Sequence, residues 1–145
     1  MQFSFTPWQY DDEVVAIARK YVTLHETVVY EEMERASLDY ASGSAAMGPV
    51  RPVWWISSDD SRAFSVDDEF LIGDRYLVAP IVSNATRHRN VYLPGPMSRD
   101  GGKQLVWEDK LRGGEKVLGG TLLKNYKVEL DEVSWWELVQ ASNQD

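Results

Sequence analysis

Residues 50–82 read VRPVWWISSDDSRAFSVDDEFLIGDRYLVAPIV, and this stretch decides the fold. It contains two apolar runs rich in β-branched and aromatic residues, 50–56 and 76–82, which are typical of β-strands. The aspartates, serines and glycine between the runs are turn-forming residues. Within this connection, residues 65–68 predict a capping box that opens a single helical turn, and Gly73 closes that turn. The stretch therefore predicts two strands joined by a turn-rich connection.

The chain beyond this stretch continues in short β-type runs separated by glycine, proline and aspartate. Together with the first two runs they predict a small antiparallel β-sandwich, because short strands with frequent turn signals pack as two sheets around one core. The further predicted strands are residues 90–93, 105–107, 126–130 and 134–139.

Upstream of the strands the apolar residues take helical spacing. They recur every three or four residues from Val14 to Val29, which predicts one long amphipathic helix over residues 11–42. The acidic residues at 11–13 suit a helix N-terminus, and a Ser-Gly-Ser turn follows the last helical residues. The chain therefore divides near residues 43–48 into a helical part and a β part.

The composition narrows the classes of function. The chain has 145 residues, which suits one ordinary domain or a small domain with a piece of another attached, and its 43% hydrophobic content indicates a folded protein. A formal net charge of −8 argues against nucleic acid and anionic membrane surfaces as partners. The sequence has no cysteine, which excludes disulfides, thiolate metal sites and cysteine nucleophiles. No apolar run reaches the roughly 20 residues of a membrane span.

The same motifs carry a resemblance to a known family. RPVWW at 51–55 is followed by an aspartate pair, by VDDEFLIGD at 66–74, by YLVAPIV at 76–82 and by RNVYLP at 89–94. In order and spacing this segment closely resembles glycoside hydrolase family 31 where its catalytic barrel passes into a proximal β-sandwich. The flanking sequences MQFS, PWQYD, EVVAIA and NYKVELDEV resemble the myogenesis-regulating glycosidase branch of that family.

The resemblance implies a mainly β fold with one long N-terminal α-helix. Residues 1–48 would end a (β/α)8 barrel and include its last helix, and residues 49–145 would form a small antiparallel β-sandwich, the proximal C-terminal domain. Phe3 and Phe5 look like the tail of a barrel strand. Met1 is therefore expected to be an internal methionine of a longer protein.

The resemblance also implies a retaining α-glycosidase that hydrolyses an α-glucoside or an α-galactoside. Its two catalytic aspartates lie on earlier barrel strands, so no catalytic residue is expected in this chain, and its substrate-binding residues stay unassigned. No metal and no organic cofactor are implied, because two carboxylates and water suffice for the reaction. The expected partner is a carbohydrate substrate, bound through the barrel. The full-length protein is expected in the lumen of the secretory pathway.

Two pairs of adjacent carboxylates could instead serve in catalysis: Asp59-Asp60 and Asp67-Asp68. A retaining glycosidase needs two carboxyl groups roughly 5 Å apart, whereas adjacent side chains on an extended chain point to opposite faces. We therefore interpret the first pair as part of a turn and the second as stabilising a helix end. His25 and His88 lack a nucleophile or a metal-ligand pattern and are interpreted as structural or solvated.

The double tryptophans at 54–55 and 135–136 would each direct one ring inward and one outward in a strand. An outward tryptophan can stack on a sugar ring, or it can cover the helix or the barrel, and we favour such packing. Asn84 begins an Asn-Ala-Thr sequon and is the candidate N-glycosylation site. The alternative to a glycosidase fragment is a free-standing β-sandwich that binds a glycan or a protein partner.

Overall fold

The computed structural model describes residues 6–83, 86–96 and 104–139. The predicted helix is present and continuous, and it consists of three parts. These are α1 (Asp12–Leu24), a π-helical turn (His25–Val29) and α2 (Tyr30–Ala41), preceded by a short 3-10 turn (Pro7–Gln9). Neither α1 nor α2, nor any other helix within the described ranges, is long and apolar enough to cross a membrane.

Both ends of the helix follow the chemistry expected from the sequence. The Asp11 side chain accepts a hydrogen bond from the Val14 N–H at 2.9 Å and so caps the N-terminus. At the other end, Gly43 adopts a φ of 76°, the left-handed conformation that turns the chain out of the helix after Ser42.

The described residues beyond the helix contain eight strands, and every pair of neighbouring strands is antiparallel. The strands are β1 (Val50–Pro52), β2 (Phe70–Ile72), β3 (Tyr76–Ala79), β4 (His88–Leu93), β5 (Val106–Asp109), β6 (Lys116–Leu118), β7 (Thr121–Lys127) and β8 (Ser134–Val139). A six-stranded sheet has the order β1-β2-β3-β8-β5-β6, and β4 pairs with β7 in a second sheet.

The two sheets enclose one apolar core. Leu71 and Leu77 of the larger sheet and Val91 and Leu93 of the smaller one are fully buried in it, together with Trp107 of β5. The protein is thus mainly β, with antiparallel sheets and one long helix, as the sequence predicts.

The predicted helical turn at residues 65–73 is wrong. Ala63–Ser65 forms a 3-10 turn, and the chain then enters β2 rather than a helix. Gly73 has a φ of 58° and lies in the turn between β2 and β3 instead of ending a helix. A glycine that permits a left-handed conformation serves both kinds of turn, so the glycine alone did not distinguish them.

Several predicted strand boundaries are also wrong. The first strand ends at Pro52 and continues as a 3-10 helix over Val53–Ile56. The strand predicted at 126–130 instead spans Thr121–Lys127, because its pairing with β4 extends it over the five residues before Tyr126. The short edge strand β6 was not predicted from the sequence.

Candidate functional site at the helix–sandwich junction

Glu32 of α2 connects the helix to the sandwich. It is only 5% exposed, although the helix around it is largely accessible. Its carboxylate accepts a hydrogen bond from the Asp74 backbone N–H at 3.0 Å and another from Arg35 Nε at 3.0 Å. A buried carboxylate is stabilised by such donors. Glu32 therefore fastens α2 to the turn between β2 and β3.

Gly73 makes this approach possible. A Cβ atom on residue 73 would lie 1.8 Å from Glu32 Oε1, well inside van der Waals contact. The positive φ at this residue independently disfavours any side chain. The glycine in the sequence FLIGD thus serves the contact with the helix as well as the turn.

Arg51 of β1 holds the same turn from the sandwich side. Its side chain is almost fully buried and donates to the Gly48 carbonyl at 2.9 Å and to the Asp74 carboxylate. Asp74 also accepts a hydrogen bond from Trp55 Nε1 at 3.0 Å. The Arg51 guanidinium lies 5.1 Å from the centre of the Trp55 ring, within the range of a cation–π interaction.

We call this set of interacting residues the helix clamp. Its ion pairs and hydrogen bonds link the helix to the first strands of the sandwich, and most of its residues belong to the motifs RPVWW and FLIGD. The members of the helix clamp are Glu32, Arg35, Arg51, Trp55, Gly73 and Asp74.

Next to the helix clamp, an apolar crevice of about 220 Å³ separates the helix from the larger sheet. The residues that line it come from both elements: Tyr21, Leu24, His25 and Val29 from the helix, and Phe70, Ile72, Tyr76, Val78, Val133 and Trp135 from the sandwich. The Tyr21 hydroxyl donates to the Asp131 carbonyl at 2.7 Å, and burial together with the Asp131 charge raises the pKa of Tyr21. The helical apolar stripe thus faces the sandwich across this crevice, and the Tyr21 hydroxyl connects the two.

The first acidic pair diverges in the structure. Asp59 is exposed and accepts from the Ser57 hydroxyl at 2.8 Å, whereas Asp60 is fully buried. Asp60 accepts hydrogen bonds from the Tyr92 hydroxyl at 2.5 Å and the Gly95 N–H at 3.1 Å. Burial and the Asp60 carboxylate raise the pKa of Tyr92. The pair builds a turn over the core, as interpreted from the sequence.

The second acidic pair does not stabilise a helix end, because no helix begins there. Asp68 instead pairs with Arg89 Nη2 at 2.9 Å, and the same guanidinium contacts Glu69 Oε1 at 3.1 Å. Glu69 Oε1 also accepts the Tyr92 N–H at 2.8 Å. These side chains line a cleft of about 370 Å³. The other walls of the cleft are formed by residues 80–83, which follow β3, and by residues of β4 and β7. Arg89 is thus neutralised by carboxylates of its own chain.

Burial raises the pKa of the Glu69 carboxyl to about 7, although the Tyr92 N–H and Arg89 act in the opposite direction. Its Oε2 atom is buried and has no hydrogen-bond partner among the described residues. An unpaired carboxylate oxygen in this position is costly when charged, which is the physical reason for the raised pKa.

The family model described as the glycosyl hydrolase family 31 C-terminal domain matches residues 46–135. The chain belongs to glycoside hydrolase family 31.

Two curated relatives are similar over almost the whole chain. The myogenesis-regulating glycosidase of Mus musculus is 41% identical over 138 residues, which cover 94% of this chain and 17% of that protein. The SITS-binding protein of Tetronarce californica is 37% identical over 137 residues, which cover 92% of this chain and 18% of that protein. The chain therefore spans less than a fifth of the length of these relatives.

A solved structure supports the same fold. A family 31 α-xylosidase from a soil metagenome, complexed with xylose, superimposes with a TM-score of 0.73 at 22% sequence identity. The match covers 97% of this chain and 19% of that one. The likeness therefore includes the helix together with the sandwich.

The family 31 model begins at residue 46 and thus contains Arg51, Trp55, Gly73 and Asp74 but not Glu32. The helix clamp joins the matched domain to a helix that lies outside the match. Glu32 was missed from the sequence, although an acidic residue four positions from both Val28 and Ala36 on the apolar stripe is a signal of a paired carboxylate.

The tryptophans of this family 31 domain behave differently in their two motifs. In β8, Trp136 is buried in the core and Trp135 faces the helix crevice, so the predicted alternation is confirmed there. Trp54 and Trp55 lie in a 3-10 helix, so the alternation predicted for them is wrong. His25 lines the apolar crevice and His88 is exposed in β4, in agreement with their interpretation. Asn84 lies outside the described residues.

Proposed function

We propose that this chain is the C-terminal part of a longer retaining α-glycosidase and that it supports the catalytic barrel. In this proposal residues 1–48 end the barrel and contribute its last helix, while residues 49–145 form the proximal sandwich. The observation that carries the proposal is the helix clamp. Glu32 reaches from α2 to the turn between β2 and β3. This contact fixes the position of the helix relative to the sandwich.

The hydrogen bonds of three buried carboxyl groups support a structural role for these groups. Asp60 and Asp109 accept hydrogen bonds from backbone N–H groups and tyrosine hydroxyls, and Glu32 is held inside the helix clamp. A retaining mechanism needs one carboxylate free to attack the sugar and a second to protonate the leaving group. We therefore infer that the two catalytic aspartates belong to the barrel of the longer protein.

The proposed reaction is hydrolysis of an α-glucoside or an α-galactoside. The names of the relatives include a glycosidase and an α-glucosidase, which supports the α-glucoside, whereas the α-galactoside rests on the sequence resemblance alone. Two carboxylates and a water molecule supply all the groups that such a double displacement requires. The alternative of a free-standing sandwich module is not favoured by these comparisons.

The coding sequence tests the proposal. Full-length transcripts from the source tissue should be sequenced across the Met1 codon. We expect an open reading frame that continues upstream and encodes barrel strands with two aspartates. A stop codon in frame shortly before Met1, in every transcript, would show that the barrel is not part of this protein.

A further inference from the structure

Arg89 of β4 connects the two sheets through hydrogen bonds that use all five N–H groups of its side chain. Its Nε donates to the Asn90 carbonyl, and its Nη1 donates to the carbonyls of Asp68 and Pro80. Its Nη2 donates to one carboxyl oxygen of Asp68 and to one of Glu69. The pair at 68–69 directly precedes β2, and Pro80 directly follows β3. Arg89 therefore links the smaller sheet, to which β4 belongs, with the larger one.

The single positive charge of Arg89 is shared between two carboxyl groups. The side chain of Asp68 is 46% exposed, whereas that of Glu69 is only 2% exposed. Glu69 Oε1 accepts from Arg89 Nη2 and from the Tyr92 N–H, but Oε2 is buried without a partner among the described residues, and Arg89 has no further N–H to donate. Water stabilises a negative charge on Asp68 and not on Glu69. Glu69 is therefore the carboxyl group that retains a proton.

The burial of Glu69 is produced by this chain itself, so additional polypeptide in a longer protein can only increase it. The other titratable or charged side chains among the described residues that line the adjoining cleft are those of Asp67, Asp68, Arg89 and Tyr92. The residues that β7 and the segment after β3 contribute to this lining are not titratable. The charge around Glu69 is thus set by the segment before β2 and by β4.

We propose that Asp68, Glu69 and Arg89 form a proton-controlled latch between the two sheets, which is tight while Glu69 is protonated and loosens when Glu69 ionises. On loss of the proton, the Glu69 carboxylate turns away from the Tyr92 N–H and into the cleft of about 370 Å³, where water can solvate Oε2. The Tyr92 N–H then lacks its acceptor, and β4 loses one of its connections to the segment before β2. The latch does not depend on the proposed function.

An NMR titration of the 15N-labelled 145-residue chain from about pH 5 to about pH 8.5 tests the latch. The Tyr92 amide proton resonance moves upfield when its hydrogen bond is lost, and it moves downfield when the acceptor gains charge but stays in place. We expect an upfield movement with a midpoint near pH 7, because burial raises the pKa of Glu69 to about 7. Glu69→Gln should abolish this movement. His88→Gln is the matched control and should retain it, since histidine is the residue type that ordinarily changes charge in this range.

Asp68→Asn tests the shared charge by a substitution at a half-exposed side chain. It removes the negative charge that competes for Arg89, so the midpoint should fall by roughly one pH unit.

Three results would overturn the latch. A Tyr92 amide proton that does not move, or that moves downfield as the pH rises, would show that Glu69 keeps this hydrogen bond throughout. A movement that persists in Glu69→Gln, or disappears in His88→Gln, would assign the titration to another group. An unchanged midpoint in folded Asp68→Asn would show that the two carboxyl groups do not share the charge of Arg89.

Discussion

At the scale of single residues, Gly73 and Glu32 depend on each other. The carboxylate of Glu32 occupies the space that a side chain at residue 73 would need, and the backbone at residue 73 is left-handed. Two other glycines distinguish the effect of steric overlap from the effect of the left-handed backbone. Gly43 also has a positive φ but no neighbour near its missing Cβ, and Gly48 has open space there.

We therefore expect Gly73→Ala to lower the free energy of unfolding by more than about 2 kcal/mol, because left-handed backbone and steric overlap add. Gly43→Ala should cost about 1 kcal/mol through the backbone alone, and Gly48→Ala should change stability by less than about 0.5 kcal/mol. Urea unfolding of the three variants measures these differences. Equal midpoints for Gly73→Ala and Gly43→Ala, which share a left-handed backbone, would show that Glu32 does not approach residue 73.

Glu69 predicts a pH dependence of stability. Its pKa in the folded chain is about 7, above the ordinary value of 4.5. The folded state therefore holds a proton more tightly than the unfolded state. The stabilisation is fully present below about pH 4.5 and is lost as the pH rises through about 7, and it amounts to at most about 3 kcal/mol. The charged groups that face Glu69 are Asp68 and Arg89.

The measurement compares unmodified protein with Glu69→Gln by urea unfolding between pH 4.5 and 8. Glutamine keeps the shape but does not titrate, so the difference in stability between the two proteins should change across this window in favour of the unmodified protein at low pH. A difference that stays constant from pH 4.5 to 8 would mean that Arg89 keeps Glu69 ionised throughout.

Asn84 is predicted to carry an N-glycan in the full-length protein, if that protein enters the secretory lumen as the sequence resemblance implies. Exposed Val82 and Ser83 precede the sequon, so a glycan meets no packed side chain on that flank. An N-glycan-removing enzyme should increase electrophoretic mobility, and Asn84→Gln should remove that sensitivity at this site. Unchanged mobility of a protein shown to be lumenal would contradict the prediction.

At the scale of elements, the helix was predictable from sequence and the strands were predictable only in part. The helix carries its own signals, an apolar stripe, the Asp11 cap and Gly43 at its end. Strand ends depend on partners that are distant in sequence. β7 begins at Thr121 because it pairs with Leu93 of β4, and β2 replaces a predicted helical turn because it pairs with β1 and β3. The local sequence pattern does not reveal which strands pair with each other.

The sequence predicts only part of the helix clamp, for the same reason. The motifs RPVWW and FLIGD contain Arg51, Gly73 and Asp74. The link between these residues and α2 depends on tertiary structure, which the motifs do not reveal. The aspartate pair at 59–60 was interpreted correctly as a turn because turn chemistry is local. The pair at 67–68 was not, since its partner Arg89 follows about twenty residues later.

Removal of the Glu32 carboxylate should loosen the helix from the sandwich. Glu32→Ala leaves the partly buried Asp74 N–H without its acceptor, which costs up to about 1–3 kcal/mol. We expect hydrogen exchange to increase in α2 and in the β2–β3 turn, while β5 and β8 keep their protection. Glu31→Ala is the matched control, because Glu31 is the exposed neighbour on the same helix. Equal hydrogen exchange in the two variants would show that the Glu32 carboxylate does not hold the helix on the sandwich.

At the scale of the whole molecule, the described residues combine a helix held by the helix clamp and a sandwich in which the buried carboxylates of Asp60 and Asp109 accept hydrogen bonds from their own chain. These features suit a supporting unit of a family 31 glycosidase, and the proposed division of labour leaves the chemistry to the barrel. The two acidic pairs are the carboxyl groups that the sequence analysis weighs as an alternative catalytic centre, so they are the positions to substitute in an activity test.

The most direct test is the glycosidase activity of the purified 145-residue chain towards aryl α-glucosides and aryl α-galactosides. We expect release of the aryl group to equal that of the buffer blank for the unmodified chain, for Asp59→Asn and for Asp67→Asn. Turnover that persists through repurification, and is lost in folded Asp59→Asn but kept in Asp67→Asn, would contradict the supporting role and assign catalysis to this chain.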